Sequence, residues 1–110
     1  APAPPSRDRT VFVGYSAPGE LVVEQGPNTG ARFKLKPNTR IGRGKGNDVV
    51  LGDRRASTEH AVLVTTGMFL MLTDLDSTNG TTLNGQLVTH PVAVNLDDVI
   101  GIGETLLRVV

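Results

Sequence analysis

The chain has 110 residues, enough for one domain with a single core, and its 11 lysine and arginine residues balance 11 aspartate and glutamate residues. That neutrality argues against a broad surface for nucleic acid or membrane, and the absence of cysteine excludes a disulfide framework or thiolate–zinc site. No apolar run approaches the ~20 residues that a membrane-spanning helix needs.

The charge is unevenly spread. Arg32, Lys34, Lys36, Arg40, Arg43, Lys45, Arg54 and Arg55 fall in one stretch with only Asp48 and Asp53 against them, whereas Arg108 is the only lysine or arginine after Arg55. A small focused anion site fits this pattern better than an extended polyanion track. With three phenylalanines and one tyrosine, the chain also lacks the aromatic platforms on which single-stranded nucleic acid stacks. A cytoplasmic setting is expected, or a nuclear one in a eukaryote, with no membrane insertion by this segment.

In chain order, Ala1-Pro2-Ala3-Pro4-Pro5-Ser6 has no apolar core behind it and reads as a proline-stiffened linker of a longer protein, not as a secretion signal. Residues 1–19 are taken as tail, with Thr10-Val11-Phe12-Val13 either an edge strand or an ordered part of it. The compact domain is placed at 20–110. Leu21–Val23 and Ala31–Leu35 flank Gln25-Gly26-Pro27-Asn28-Thr29-Gly30, the composition of a hairpin with its turn. Short apolar alternations recur at Thr39–Gly42, Val49–Leu51, His60–Val64, Met68–Thr73 and Thr81–Leu83. They continue at Gln86–Val88, Val92–Asn95, Val99–Ile102 and Thr105–Val110.

Asn84-Gly85 predicts a type I′ turn, because both residues tolerate positive φ. No window of a dozen residues carries a clean 3.6-residue period. The expected fold class is all-β: a sandwich of two mainly antiparallel sheets, ten to eleven short strands, with binding loops at one end.

The polar residues of interest sit in turns between those strands. Arg43 follows Gly42 and opens the loop Gly44-Lys45-Gly46; Ser57 and Thr58 precede His60; Asp74-Leu75-Asp76-Ser77-Thr78-Asn79-Gly80-Thr81 forms a later turn. One guanidinium with several hydroxyls, and neither acid nor thiol among them, suits an oxyanion that is held and not cleaved. Each residue also has a bland reading: an exposed arginine, turn-capping hydroxyls, an Asn-Gly turn.

Ser57, His60 and Asp74 would make a hydrolase triad on paper, but no Gly-x-Ser-x-Gly elbow accompanies them. The glycines around Arg43 match neither Gly-x-Gly-x-x-Gly nor Walker A. No His, Asp and Glu have metal-ligand spacing, so no metal and no cofactor is expected. Asp97-Asp98 reads as a solvated turn, and His90 gives no signal.

Taken in order, Gly42-Arg43, Ser57-x-x-His60, Ser77-Thr78-Asn79-Gly80-Thr81 and Asn84-Gly85 resemble a forkhead-associated (FHA) domain from about Glu20 to Val110. That resemblance implies a non-catalytic β-sandwich whose loops bind phosphothreonine peptides, serving as an adaptor within a larger signalling or secretion protein. The implied phosphate ligands are Arg43, Ser57, Thr58 and Thr78. Asn79 would pair with the peptide backbone, and Gly42, His60 and Gly80 would support the site.

The family often carries arginine or asparagine where this chain has Thr58, which shifts affinity onto Arg43 and onto Lys45 or Arg55. Arg54 and Arg55 are candidate specificity residues for an acid a few positions after the phosphothreonine, and the partner would be a Ser/Thr-kinase substrate. If Thr10 were phosphorylated, the tail itself would become a candidate ligand. The alternative is a domain of the same fold that docks a partner without phosphate.

Overall fold

The computed structural model describes residues 18–110, so Thr10–Val13 and the rest of the tail before residue 18 lie outside the described residues. Among those described there are eleven strands and no helix. They are β1 (Glu20–Gln25), β2 (Arg32–Lys34), β3 (Asn38–Gly42), β4 (Val49–Val50), β5 (Ala61–Thr66) and β6 (Phe69–Asp74). The remainder are β7 (Thr81–Leu83), β8 (Gln86–Leu87), β9 (Val92–Val94), β10 (Val99–Ile102) and β11 (Thr105–Val109).

Two sheets face each other, one in the order β2-β1-β11-β10-β7-β8 and the other β4-β3-β5-β6-β9. Every pairing is antiparallel except β3 with β4, which is parallel.

Period-2 alternation sets which face is buried. In β1, Leu21 and Val23 point inward and pair with Val109 and Leu107 of β11; in β5 and β6, Leu63 lies opposite Leu72. Ile41, Ile100 and Ile102 close the core between the sheets, all fully buried. Burying each such aliphatic side chain contributes about 1.5–3 kcal/mol, and this packing fixes the strand ends from which the loops spring.

The Asn84-Gly85 turn between β7 and β8 has φ of 51° and 85°, the two positive values of a type I′ hairpin. The Asn79-Gly80 turn is of another kind. It lies in the 75–80 connection that carries the chain from β6 in one sheet to β7 in the other, and only Gly80 of the pair has positive φ, at 85°. The parallel β3–β4 pairing likewise makes 43–48 a loop that doubles back, and 51–60 then returns the chain to β5. These three connections, with the β10–β11 turn, gather at one end of the sandwich. The exposed Met68 and Phe69 lie at the β5–β6 turn at the other end.

Candidate functional site

The Asp53–Ala56 turn is the centre of the loop cluster, closed by Ala56 N–H donating to the Asp53 carbonyl at 3.0 Å. Its successive carbonyls hold two side chains from other loops. Asn79 Nδ2 donates to Arg55 O at 2.9 Å, and Arg43 Nε donates to Ala56 O at 2.9 Å. The Arg43 main chain is fixed as well, its N–H donating to Ser57 O at 2.9 Å. With Nε anchored, the two terminal nitrogens of the guanidinium have no partner among the described residues, which leaves a planar fork available to an anion.

Ser57 is tied on both sides. Its N–H donates to His60 Nδ1 at 2.9 Å, and its Oγ accepts the Thr78 N–H at 3.0 Å, leaving the hydroxyl proton free to donate outward. The Thr78 N–H is thereby committed, so of the two donors expected from Thr78 the hydroxyl is the one that remains. The hydroxyls of Thr58 and Thr78 make no hydrogen bond among the described residues, and both residues are exposed.

His60 is completely buried. Because Nδ1 accepts from Ser57 N–H, the proton sits on Nε2, which donates to Gly80 O at 2.9 Å. Both ring nitrogens are therefore spent on loop backbone, and the imidazole staples the Ser57 turn to the Asn79-Gly80 turn. Asp74, the third member of the paper triad, faces elsewhere. Its Oδ1 accepts from Ser77 Oγ (2.5 Å) and Thr81 Oγ1 (2.7 Å), and its Oδ2 accepts from Ser77 N–H (3.1 Å). Burial raises its pKa, but these hydrogen bonds outweigh it and hold the carboxyl below its ordinary range. Among the described residues neither His60 nor Asp74 hydrogen-bonds the Ser57 hydroxyl, so the three do not form the paper triad.

Gly42 is required sterically. A Cβ there would overlap the Thr58 carbonyl oxygen and crowd Asn47 Nδ2, which itself donates at 2.7 Å to both Gly44 O and Thr58 O. Two structural residues of the cluster escape a reading of the sequence. Asn47 sits in a glycine-rich loop, where asparagine passes for turn filler. For Asp53 the sequence offers only the general tendency of aspartate to accept the N–H two residues on, as it does here from Arg55.

Asp53 is 3% exposed and accepts from Arg55 N–H (2.9 Å), Glu104 N–H (2.8 Å) and Thr105 Oγ1 (2.7 Å). Burial opposes its ionisation, yet the three donors keep its carboxyl below the ordinary value.

Arg43, Ser57, Thr58, Thr78 and Asn79, with Arg54, Arg55 and Ala56, line one open cavity of about 320 Å³. Lys45 is exposed on its loop and is not among the lining residues. The basic stretch is partly neutralised, Lys36 pairing with Asp48 at 3.0 Å and Arg55 with Glu104 at 3.6 Å, whereas Arg43 and Arg54 have no ion pair among the described residues. The described residues hold no cluster of three or more His, Asp or Glu able to bind a metal, and no helix long and apolar enough to cross a membrane.

Residues 22–110 match the family model described as "Inner membrane component of T3SS, cytoplasmic domain". A solved structure from a "Structural and functional analysis of phosphothreonine-dependent FHA domain interactions" superposes with a TM-score of 0.73. It is 30% identical and covers 82% of this chain and 94% of that one. The chain belongs to the forkhead-associated (FHA) domain family. Among curated relatives, FHA domain-containing protein FhaB of Mycobacterium tuberculosis is 42% identical over 89 residues, 80% of this chain and 57% of the relative. Glycogen accumulation regulator GarA of Mycolicibacterium smegmatis is 40% identical over 80 residues, 72% of this chain and 51% of the relative. The FHA domain thus spans about half the length of the curated relatives it matches.

Proposed function

We propose that this FHA domain binds phosphothreonine-containing peptides without catalysis, as an adaptor module of a larger protein. The observation that carries the reading is the state of the donors around the cavity. The Arg43 fork and the hydroxyls of Ser57, Thr58 and Thr78 retain unspent donors in one polar recess, while every bond that shapes the recess is made to backbone or to a neighbouring loop.

A phosphothreonine brings about −1.5 to −2 charges and three strong acceptor oxygens. Unmodified threonine would leave the arginine and the hydroxyls with nothing to satisfy, so the site discriminates by charge and hydrogen bonding together. Asn79, its amide nitrogen held by Arg55 O, keeps its carbonyl oxygen for an N–H of an extended peptide running beside the phosphate.

Further parts of this reading concern the ligand. The partner is a substrate of a Ser/Thr kinase, met in the cytoplasm. Arg54, which has no ion pair among the described residues, is better placed than the Glu104-paired Arg55 to favour an acidic residue a few positions beyond the phosphothreonine. Residues 1–19 act as a tail to the 20–110 domain, and phosphorylation of Thr10 would make that tail a competing intramolecular ligand.

The test is calorimetric titration with one peptide in phosphothreonine and threonine forms. Binding only of the phosphorylated form supports the proposal. Equal binding of both would instead favour phosphate-independent docking.

A further inference from the structure

The groups that would contact the peptide do not hold themselves in place. Arg43 Nε and Asn79 Nδ2 come from two loops 36 positions apart in sequence, yet both hang on adjacent carbonyls of one turn, Ala56 O and Arg55 O, each at 2.9 Å. Besides the buried Ala56 and the exposed Arg55–Glu104 ion pair, that turn has polar attachments of its own. One is the buried Asp53 carboxylate, whose Oδ1 caps Arg55 N–H from within the turn and whose Oδ2 reaches Glu104 N–H and Thr105 Oγ1, some fifty residues onward.

Thr105 is the first residue of β11 and 1% exposed, so the carboxylate ties the turn to the rigid part of the six-stranded sheet. The fit is close on the other side too. A Cβ on Gly103, which has φ of 60°, would collide with both Asp53 carboxylate oxygens and with Arg55 Cβ.

We infer that Asp53, with Thr105 as its anchor in the sheet, is the positioning residue of the peptide site, setting Arg43 and Asn79 together through the carbonyls of the Asp53–Ala56 turn. The inference rests on the phosphopeptide reading of those two residues. The path consists of four hydrogen bonds: Thr105 Oγ1 to Asp53 Oδ2, Arg55 N–H to Asp53 Oδ1, Asn79 Nδ2 to Arg55 O, and Arg43 Nε to Ala56 O. Loss of the carboxylate frees the turn to rotate its peptide planes. A rotation of either carbonyl swings a ligand side chain, and side chains held by a single bond have no second anchor to resist it.

The test compares the full chain with Asp53→Asn, with Thr105→Val, which keeps shape and removes one donor, and with Val109→Ala. The last is a buried change at the far end of β11 that lowers stability without touching the turn. At a temperature where each is fully folded, two readouts are taken. One is the ¹H–¹⁵N signals of the Asn79 side-chain amide and the Arg43 Nε–H, without ligand. The other is the Kd for a phosphothreonine peptide.

Asp53→Asn is expected to move both side-chain signals and to weaken binding at least tenfold, and Thr105→Val to do the same more weakly. Val109→Ala is expected to do neither. If Asp53→Asn does not fold, Thr105→Val decides. Signals at their wild-type positions, with affinity within twofold in the folded Asp53 and Thr105 variants, overturn the inference. If the wild-type chain binds phosphorylated and unphosphorylated peptides alike, the phosphopeptide reading fails on its own, and the side-chain signals still judge Asp53.

Discussion

Replacing Arg43 by alanine separates binding from folding. The side chain is exposed and makes one hydrogen bond among the described residues, Nε to Ala56 O, while the main-chain bond from Arg43 N–H to Ser57 O survives the substitution. One such bond is worth about 0.5–1.5 kcal/mol net. For a domain of this size 1 kcal/mol shifts Tm by roughly 4–8 °C, so the variant should melt roughly 2–12 °C below wild type and still fold.

Binding should change on another scale. The two terminal guanidinium nitrogens would make a bidentate, charge-assisted contact to phosphate, each bond worth about 1.5–3 kcal/mol. Losing both removes about 3–6 kcal/mol, or roughly 10²–10⁴ in Kd. Isothermal titration of wild type and Arg43→Ala against one phosphothreonine peptide, beside calorimetric melting of both proteins, measures the two effects. Arg43→Lys adds a check: it keeps the charge but loses the Ala56 anchor and the fork, and should recover only part of the affinity. Unchanged affinity in Arg43→Ala would refute the assignment of the anion to this residue.

His60→Ala should behave in the opposite way, because it strips partners from the Ser57 N–H and the Gly80 carbonyl and leaves a hole in a buried position. Each orphaned group costs about 1–3 kcal/mol, so denaturation midpoint and peptide affinity should fall together. Gly42→Ala forces a methyl onto the Thr58 carbonyl oxygen; overpacking of this kind costs about 1–3 kcal/mol, visible as a lower Tm with weakened peptide binding.

For pH, the Asp53 and Asp74 carboxyls lie below their ordinary value of 3.8 in the folded chain, so near that pH the unfolded chain binds more protons. Their contribution is complete above 3.8 and is lost as pH falls through the lower folded values. Urea midpoints should therefore drop below about pH 4, and Asp53→Asn should flatten that slope.

The sites of all eleven strands were legible in the sequence, because short apolar alternations are bounded by glycine, proline and asparagine, and the core of each sheet follows from that period. The assignment of strands to sheets was not. Nothing in Asn38–Gly42 or Val49–Val50 signals a parallel pair, and the Asn79-Gly80 turn does not announce that it crosses between sheets, because dipeptide composition reports backbone tolerance and not which strands a turn joins.

The candidate site shows the same division. Arg43, Ser57 and Asn79 stand out by residue type and order. The two-sided role of His60 was legible as a support, whereas the division of labour within Thr78 depends on Ser57 Oγ taking its N–H. Asp53 and Asn47 act through backbone groups brought near by the fold. For Asp53 the decisive partners, Glu104 and Thr105, lie on the far side of the chain, where no local pattern points.

In the proposed complex Arg43, Ser57, Thr58 and Thr78 converge on a phosphate carried by threonine, with Asn79 beside it on the peptide backbone. A ¹H–¹⁵N titration with a phosphothreonine peptide tests it most directly: Ser57, Thr58, Thr78 and Asn79 amides and the Arg43 Nε–H should move in concert, and the unphosphorylated peptide should leave them still. Movement concentrated away from these loops, or the same movement from both peptides, would contradict it.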